Sequence, residues 1–185
     1  MAKIGLKGLK YAVLDTDAGT YGTPASLGKG IKATVKAKSA DASLYADDAL
    51  AESDSSFVSA DVSVEVDDSR DATVVAKLLG HSVGTGADAG VVTRNAGDVA
   101  PYVGIGRIVT LIVGNVKSYK AEFLTKVKFT EPDQDEATKA DNVTYGTTTL
   151  SGTASADSTG VWSKTGTFAT PELAQAFLDD CFGVA

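Results

Sequence analysis

Residues 57–67, FVSADVSVEVD, alternate apolar and polar side chains from Val58 onward. Val58, Ala60, Val62, Val64 and Val66 fall on one face; Ser59, Asp61, Ser63, Glu65 and Asp67 fall on the other. A strand points successive side chains to opposite faces, so this pattern predicts a half-buried β-strand and excludes a helix. Residues 30–39, GIKATVKAKS, repeat it, with Ile31, Ala33, Val35 and Ala37 opposite Lys32, Thr34, Lys36 and Lys38. One wet face and one dry face is the signature of antiparallel sheets packed on a core.

The rest of the chain fits that frame. Residues 99–113, VAPYVGIGRIVTLIV, are apolar on both faces, which predicts a strand buried on both sides. Gly114 and Asn115 follow as a tight hairpin turn. Residues 118–130 return, with Tyr119, Ala121, Phe123, Val127 and Phe129 expected on one face. A Thr-rich strand over 142–155, with Tyr145 and Leu150, and a short strand around Trp162 complete the set.

Two segments change period. Val74, Val75, Leu78 and Leu79 have helical spacing, with Asp68 or Ser69 to cap the start and Gly80 to end it. Residues 171–182 predict a second helix, with Thr170 as cap, Pro171 in the first turn and Gly183 at the end. Its expected apolar face is Leu173, Phe177, Leu178 and Cys181. Helices do not alternate with strands, so a doubly wound α/β fold is excluded. The expected class is mainly β: an antiparallel sandwich or barrel with one flanking short helix and a C-terminal helix, as a single domain over 1–185.

Charge is unevenly spread. Residues 1–38 carry seven Lys against Asp15 and Asp17 (+5), residues 39–100 twelve acids against three bases (−9), and residues 101–185 ten acids against seven bases (−3). This balance argues against binding to a phosphate backbone, which needs clustered Lys and Arg. The basic front of one copy is instead matched to the acidic middle of another. Cys181 is the single cysteine, so no intrachain disulfide forms. The N-terminus lacks the apolar core of a signal peptide, and no run approaches a transmembrane span; the expectation is a protein made in a cytoplasm.

Candidate chemistry is thin. YAVLDTDAGT, residues 11–20, resembles the nucleophile loop of haloacid-dehalogenase-type phosphatases, in which Asp15 would attack phosphorus and Asp17 would act as acid/base. Ala18 is inserted, however, and the βα pattern that would carry the other catalytic parts is missing; a strand ending in an Asx turn is the competing account. Asp15 with Asp17, or Asp133, Asp135 and Glu136, lack the full calcium-loop spacing. His81 is expected to cap or pack at a helix end, and Cys181 to lie in the core. The Gly-x-Gly pairs in GTGADAG and GIGRIVTLIVG lack dinucleotide-binding context. The expectation is a non-enzyme with no catalytic residues, cofactor or metal.

The stretch LYADDALAE, residues 44–52, sets Tyr45 beside Asp47 and Asp48, with Glu52 close behind and no base among them. A run of about a dozen structureless residues in a compact domain points to a functional loop. The order of motifs GLKGLKYAVL, LYADDALAESDSSF, KLLGH, DVAPYVGIG and KFTEPDQDEATKADNVTY resembles the major tail proteins of long-tailed bacteriophages with non-contractile tails, over roughly residues 3–153.

That resemblance implies a structural virion protein of the phage tail, assembled in the bacterial cytoplasm. Six copies would close into a ring, and stacked rings would form a tube that conducts DNA without binding it specifically. It further implies an N-terminal arm over about 1–10 and a long inter-subunit loop over about 40–56, with Leu44, Tyr45, Asp47, Asp48 and Glu52 meeting a neighbouring copy, near Lys3, Lys7 or Lys10. Asp61, Ser63, Glu65 and Asp67 are the lumen-facing candidates, with the Thr-rich strand as their rival. The implied partners are further copies of the chain and the tape-measure, terminator and distal tail proteins, with no membrane. With four strands per copy, about 24 strands at roughly 4.8 Å, tilted by up to about 40°, give a backbone barrel roughly 37–48 Å across. The alternatives are another virion ring or decoration protein, such as a tail terminator or capsid decoration protein, and an Asp15/Asp17 phosphohydrolase.

Overall fold

The structure, a computed structural model, describes residues 2–46, 49–67, 72–134 and 146–184, with backbone alone over 42–46 and 49–54. Among the described residues the chain is mainly β and antiparallel. In chain order the elements are β1 (Ala2–Asp15), β2 (Thr20–Tyr21), β3 (Ala25–Ser26), β4 (Gly30–Ala46), β5 (Ala49–Asp67), α1 (Ala72–Leu79), β6 (Ser82–Val83), β7 (Val92–Thr93), β8 (Val103–Val113), β9 (Val116–Phe129), β10 (Thr147–Ser155), β11 (Ser163–Phe168) and α2 (Pro171–Cys181).

One sheet runs β2-β1-β8-β9-β10-β5-β4, with β3 added to β1 and β11 to β9. β9 is where it divides: residues 119–124 pair with β11 and residues 126–129 with β10. The sheet curls until its two ends approach. Leu27 donates its N–H to the Leu9 carbonyl, and Gly30 lies so close to β1 that a Cβ there would come within 2.9 Å of Leu6.

The curl encloses one core. Leu9 and Tyr11 of β1, Ala60, Val62, Val64 and Val66 of β5, and Val103 and Ile105 of β8 meet Leu124, Val127, Phe129 and Leu150 inside it. Val75, Leu78 and Leu79 of α1 pack onto the same core. A second core lies on the opposite face, where Ala174, Leu178 and Phe182 cover Ala12, Ile108, Ala121 and Phe123. β8 is thus buried on both sides, as its doubly apolar sequence requires. Gly106 permits the close approach of α2: a Cβ there would sit 3.1 Å from both Leu178 and Phe182.

The local signals act as read. Gly114 and Asn115 both have positive φ (53° and 65°), the two-residue turn whose twist matches a hairpin. The Thr170 hydroxyl accepts the Leu173 N–H, and Gly183 takes φ 73° after α2. The residues expected to cap α1, Asp68 and Ser69, lie outside the described residues, as does Tyr145.

Several expectations need correction, most of them because of β-bulges. In β4 the register steps from Gly30 opposite Val66 to Lys32 opposite Glu65, which leaves Ile31 as an extra residue, 51% exposed. In β5 it steps from Ser59 opposite Lys38 to Phe57 opposite Ser39, which turns Val58 outward (58% exposed) and Phe57 inward. In β9 two residues, Thr125 and Lys126, oppose Gly104 alone. Tyr119, Ala121 and Phe123 therefore face α2, whereas Val127 and Phe129 face the other core. On α2, Leu173 is exposed, and Ala174 and Phe182 fill the place expected for it. Where the resemblance implies an N-terminal arm over about 1–10, the chain from Ala2 onward is a strand paired along β8.

Candidate functional site: a hairpin arm and a polar sheet face

The β4–β5 ladder runs well past the neighbouring β5–β10 ladder. β10 pairs with β5 only over residues 60–67, whereas β4 pairs with it from Gly30 to Ala46. Beyond the bulge at Ser39 the two strands have only each other as ladder partners among the described residues. Ser39, Ala40, Asp41, Ser55 and Ser56 are exposed. An isolated two-stranded ribbon is marginal in water.

The segment expected as a structureless loop, 40–56, is this ribbon. Leu44 lies opposite Glu52, Tyr45 opposite Leu50, and Ala46 opposite Ala49. Asp47 and Asp48 lie outside the described residues. By sequence, residues 39–56 hold five acids and no base.

The root of the arm is pinned. Phe57, turned inward by the bulge, stacks on Trp162 with ring centroids 4.6 Å apart and 11° between planes. Trp162 is itself held to β9, because its carbonyl accepts the Thr125 N–H at 3.2 Å. Thr125, buried at the β9 bulge, also donates its hydroxyl to the Val161 carbonyl at 2.7 Å and accepts the Tyr21 hydroxyl at 2.8 Å. Burial, with Asp157 and Cys181 nearby, pushes the Tyr21 hydroxyl up to about 12, so it keeps the proton it donates.

The outer face of β5 carries the four lumen candidates. Asp61, Ser63, Glu65 and Asp67 all point away from the buried valines. Asp61 accepts the Lys38 ammonium at 2.7 Å, Glu65 accepts the Thr147 hydroxyl at 3.0 Å, and Asp67 accepts the Lys29 N–H at 3.1 Å. Cross-strand register sets Lys36 opposite Asp61, Thr34 opposite Ser63 and Lys32 opposite Glu65. On the other side, Thr153, Ser151, Thr149 and Thr147 stand opposite the same four β5 residues. The Thr-rich strand is therefore a neighbour of β5 on one face and no rival to it. Three adjacent strands present lysines, then acids and serine, then hydroxyls, with no apolar side chain in those three rows. This face is charge-matched across strands.

The remaining candidates fall in turns. The Asp15 carboxylate accepts the N–H groups of Asp17 and Ala18 at 3.0 and 3.1 Å, an Asx turn. Asp135 and Glu136 lie outside the described residues, and among the described residues no three His, Cys, Asp or Glu side chains group as metal ligands. Cys181 is partly buried against the α2 core, and burial raises its thiol. Of the three lysines expected to meet the arm, Lys10 pairs with Asp179 at 3.1 Å and Lys7 sits 4.8 Å over the Tyr119 ring. Lys3 has no ion pair among the described residues.

Two polar clusters had no sequence signal. His81 bridges Asp98 (2.7 Å from Nδ1) and Glu131 (3.0 Å from Nε2), and Glu131 also meets Arg94 at 3.1 Å. The hydrogen bonds to Asp98 and then Glu131 raise the His81 pKa against the opposing pull of burial. Arg107, Glu122 and Lys120 form the second cluster, Arg107 Nε donating to Glu122 at 2.7 Å. Burial alone would push the Glu122 carboxyl up; Lys120 and Arg107 outweigh it and hold it below its usual range. Partners 15 to 50 residues apart are brought together only by register and packing.

No helix among the described residues is long and apolar enough to cross a membrane. Comparison with protein-family models and with curated proteins gives no match.

Proposed function

We propose that this chain is a structural phage protein that self-assembles into stacked rings, hexameric by resemblance, forming a tail tube through which DNA passes. The observation that carries this reading is the β4–β5 ribbon, which runs past β10, its last ladder neighbour among the described residues, in a stretch whose sequence holds five acids and no base. A polymerising subunit gains an anchor from such an arm. The three-strand polar face supports the conduit part of the reading. Its lysines are offset by acids in register, and hydroxyls line the third strand, so it offers phosphate neither a cationic track nor an apolar ledge.

Negative-stain microscopy of the purified protein at high concentration tests the reading. Tubes of uniform width are expected. Single rings that never stack would favour a terminator-type ring protein instead. A species that stays monomeric at every salt concentration would overturn self-assembly altogether.

A further inference from the structure

His81 faces a carboxylate from each of its ring nitrogens. Nδ1 lies 2.7 Å from Asp98, Nε2 lies 3.0 Å from Glu131, and 9% of the side chain is exposed. A carboxylate only accepts hydrogen bonds, and a neutral imidazole carries a single N–H. The imidazolium alone can therefore donate to both partners at once. Among the described residues, the charged groups at this site are Asp98 from the segment after β7, Glu131 from the end of β9, and Arg94, which meets Glu131 at 3.1 Å. Lys77, one turn back on α1, is exposed and joins no ion pair among the described residues.

The two halves of this bridge are not equally held. The Asp98 side chain is 14% exposed, that of Glu131 49%. Asp98 also accepts the Asn95 N–H at 2.9 Å. The end of α1 is wedged beside it: a Cβ on Gly80 would lie 2.3 Å from the Val99 carbonyl oxygen. Parting His81 from Asp98 would leave a largely buried charge short of a donor. Glu131 stands just past the end of β9, where the Thr130 N–H meets the Ser151 carbonyl at 2.9 Å, and it keeps both water and Arg94. It also lines a pocket of about 400 Å³ with Asp133, Thr147, Thr149 and Ser151. We infer that the bridge is a proton-operated clasp: loss of the His81 proton opens the Glu131 half, frees that carboxylate for the hydroxyl-lined pocket, and leaves the Asp98 half closed. The hydrogen bonds to Asp98 and then Glu131 raise the pKa of His81, so the clasp opens on the alkaline side of the ordinary histidine value, about 6.5. The inference concerns contacts within one copy and stands apart from the self-assembly reading.

Nitrogen-15 NMR of the full chain tests it, and His81 is the single histidine, so its ring signals need no further assignment. Above the titration, the neutral ring is expected to keep its proton on Nδ1 and to show a bare Nε2. The amides of Glu131 and Asp133 are expected to shift with the same midpoint, while the Asn95 amide, bonded to Asp98, moves little. In Glu131→Gln the side-chain amide can donate to the bare Nε2. That variant is expected to lower the His81 midpoint by about one pH unit, a tenfold loss of proton affinity, and to shrink the shifts at 131 and 133. A neutral ring protonated on Nε2, or an Asn95 amide that moves as far as that of Glu131, would overturn the inference. So would amides at 131 and 133 that ignore the titration, or a midpoint that Glu131→Gln leaves unchanged. None of these outcomes bears on whether tubes form.

Discussion

Phe57 and Trp162 stack face to face, 4.6 Å between centroids, at the point where the β4–β5 arm leaves the body of the protein. The contact exists because a bulge at Val58 reverses the phase of β5. Among the described residues it is the last contact of β5 with the core. Phe57→Ala removes it, and the expected loss is about 1–2 kcal/mol, less than for a fully buried ring because Phe57 is only partly buried. Trp162 is the single tryptophan, so its emission reports the change directly. A red shift in the native protein together with a lower denaturation midpoint is expected; an unchanged spectrum would mean that the stack does not anchor the arm.

The arm itself separates assembly from folding. Tyr45→Ala is expected to block tube growth while the melting temperature of the monomer barely moves. Burying a large ring between copies is worth about 1.5–3 kcal/mol, enough to decide a weak contact. Asp47→Ala with Asp48→Ala should weaken tubes chiefly at low salt, since exposed ion pairs contribute about 0–1 kcal/mol and are screened. Scanning calorimetry and microscopy on the same samples check both. Unfolding of the monomer by Tyr45→Ala would place that ring in the core.

Charge on the polar face has a measurable register. Asp61→Lys with Glu65→Lys sets new lysines opposite Lys36 and Lys32 and removes the Lys38–Asp61 pair. Like charges directly across a ladder cost about 0.2–1 kcal/mol per pair, so a loss of about 1 kcal/mol is expected, relieved by salt. The fold survives because the valine face is untouched. Urea denaturation at low and high salt is the check, and a loss that salt does not relieve would point to a packing effect instead.

The His81 bridge gives a pH dependence of defined sign. The folded-state pKa of His81 is raised, so its contribution is fully present below the unfolded value, near 6.5, and fades as pH rises through the higher folded value. Asp98 is held below its usual range by the Asn95 N–H and by His81, so its contribution is present above the ordinary carboxylate pKa and lost as pH falls through the depressed one. The tie is strongest between these limits. Thermal midpoints of the wild type should fall as pH rises from 6 to 8.5, and His81→Gln should flatten that slope. NMR titration of the one histidine gives the pKa itself; a value at or below the model-peptide value would contradict the bridge.

Close packing over β8 is equally testable. A Cβ on Gly104 would lie 2.6 Å from the Tyr21 ring, which is held by its hydroxyl bond to Thr125, so the ring has little room to retreat. Gly104→Ala is expected to cost about 1–3 kcal/mol as overpacking. Equilibrium denaturation measures it, and a neutral result would mean that the ring yields.

Much of the fold was legible because it is local. Val62, Val64 and Val66 are buried and Asp61, Ser63 and Glu65 are not, as period-two alternation demands of any half-buried strand. The Gly114–Asn115 turn and the Thr170 cap depend on backbone conformation and on neighbours three residues away or fewer. Tertiary structure decided the rest. Ile31 and Val58 match the alternation of the residues that follow them, yet both point outward, because a bulge is set by the partner strand; only the apolar doublet Phe57–Val58 marks one of the two bulges in the sequence. The arm was visible as an acidic stretch around Tyr45, but not as a ribbon, since Leu44 and Glu52 pair through a register fixed from Gly30 onward. His81 found Asp98 and Glu131 only when the curl of the sheet joined distant segments. Sequence determines which faces are wet and where the chain turns; which wet faces meet depends on the long-range pairing of strands.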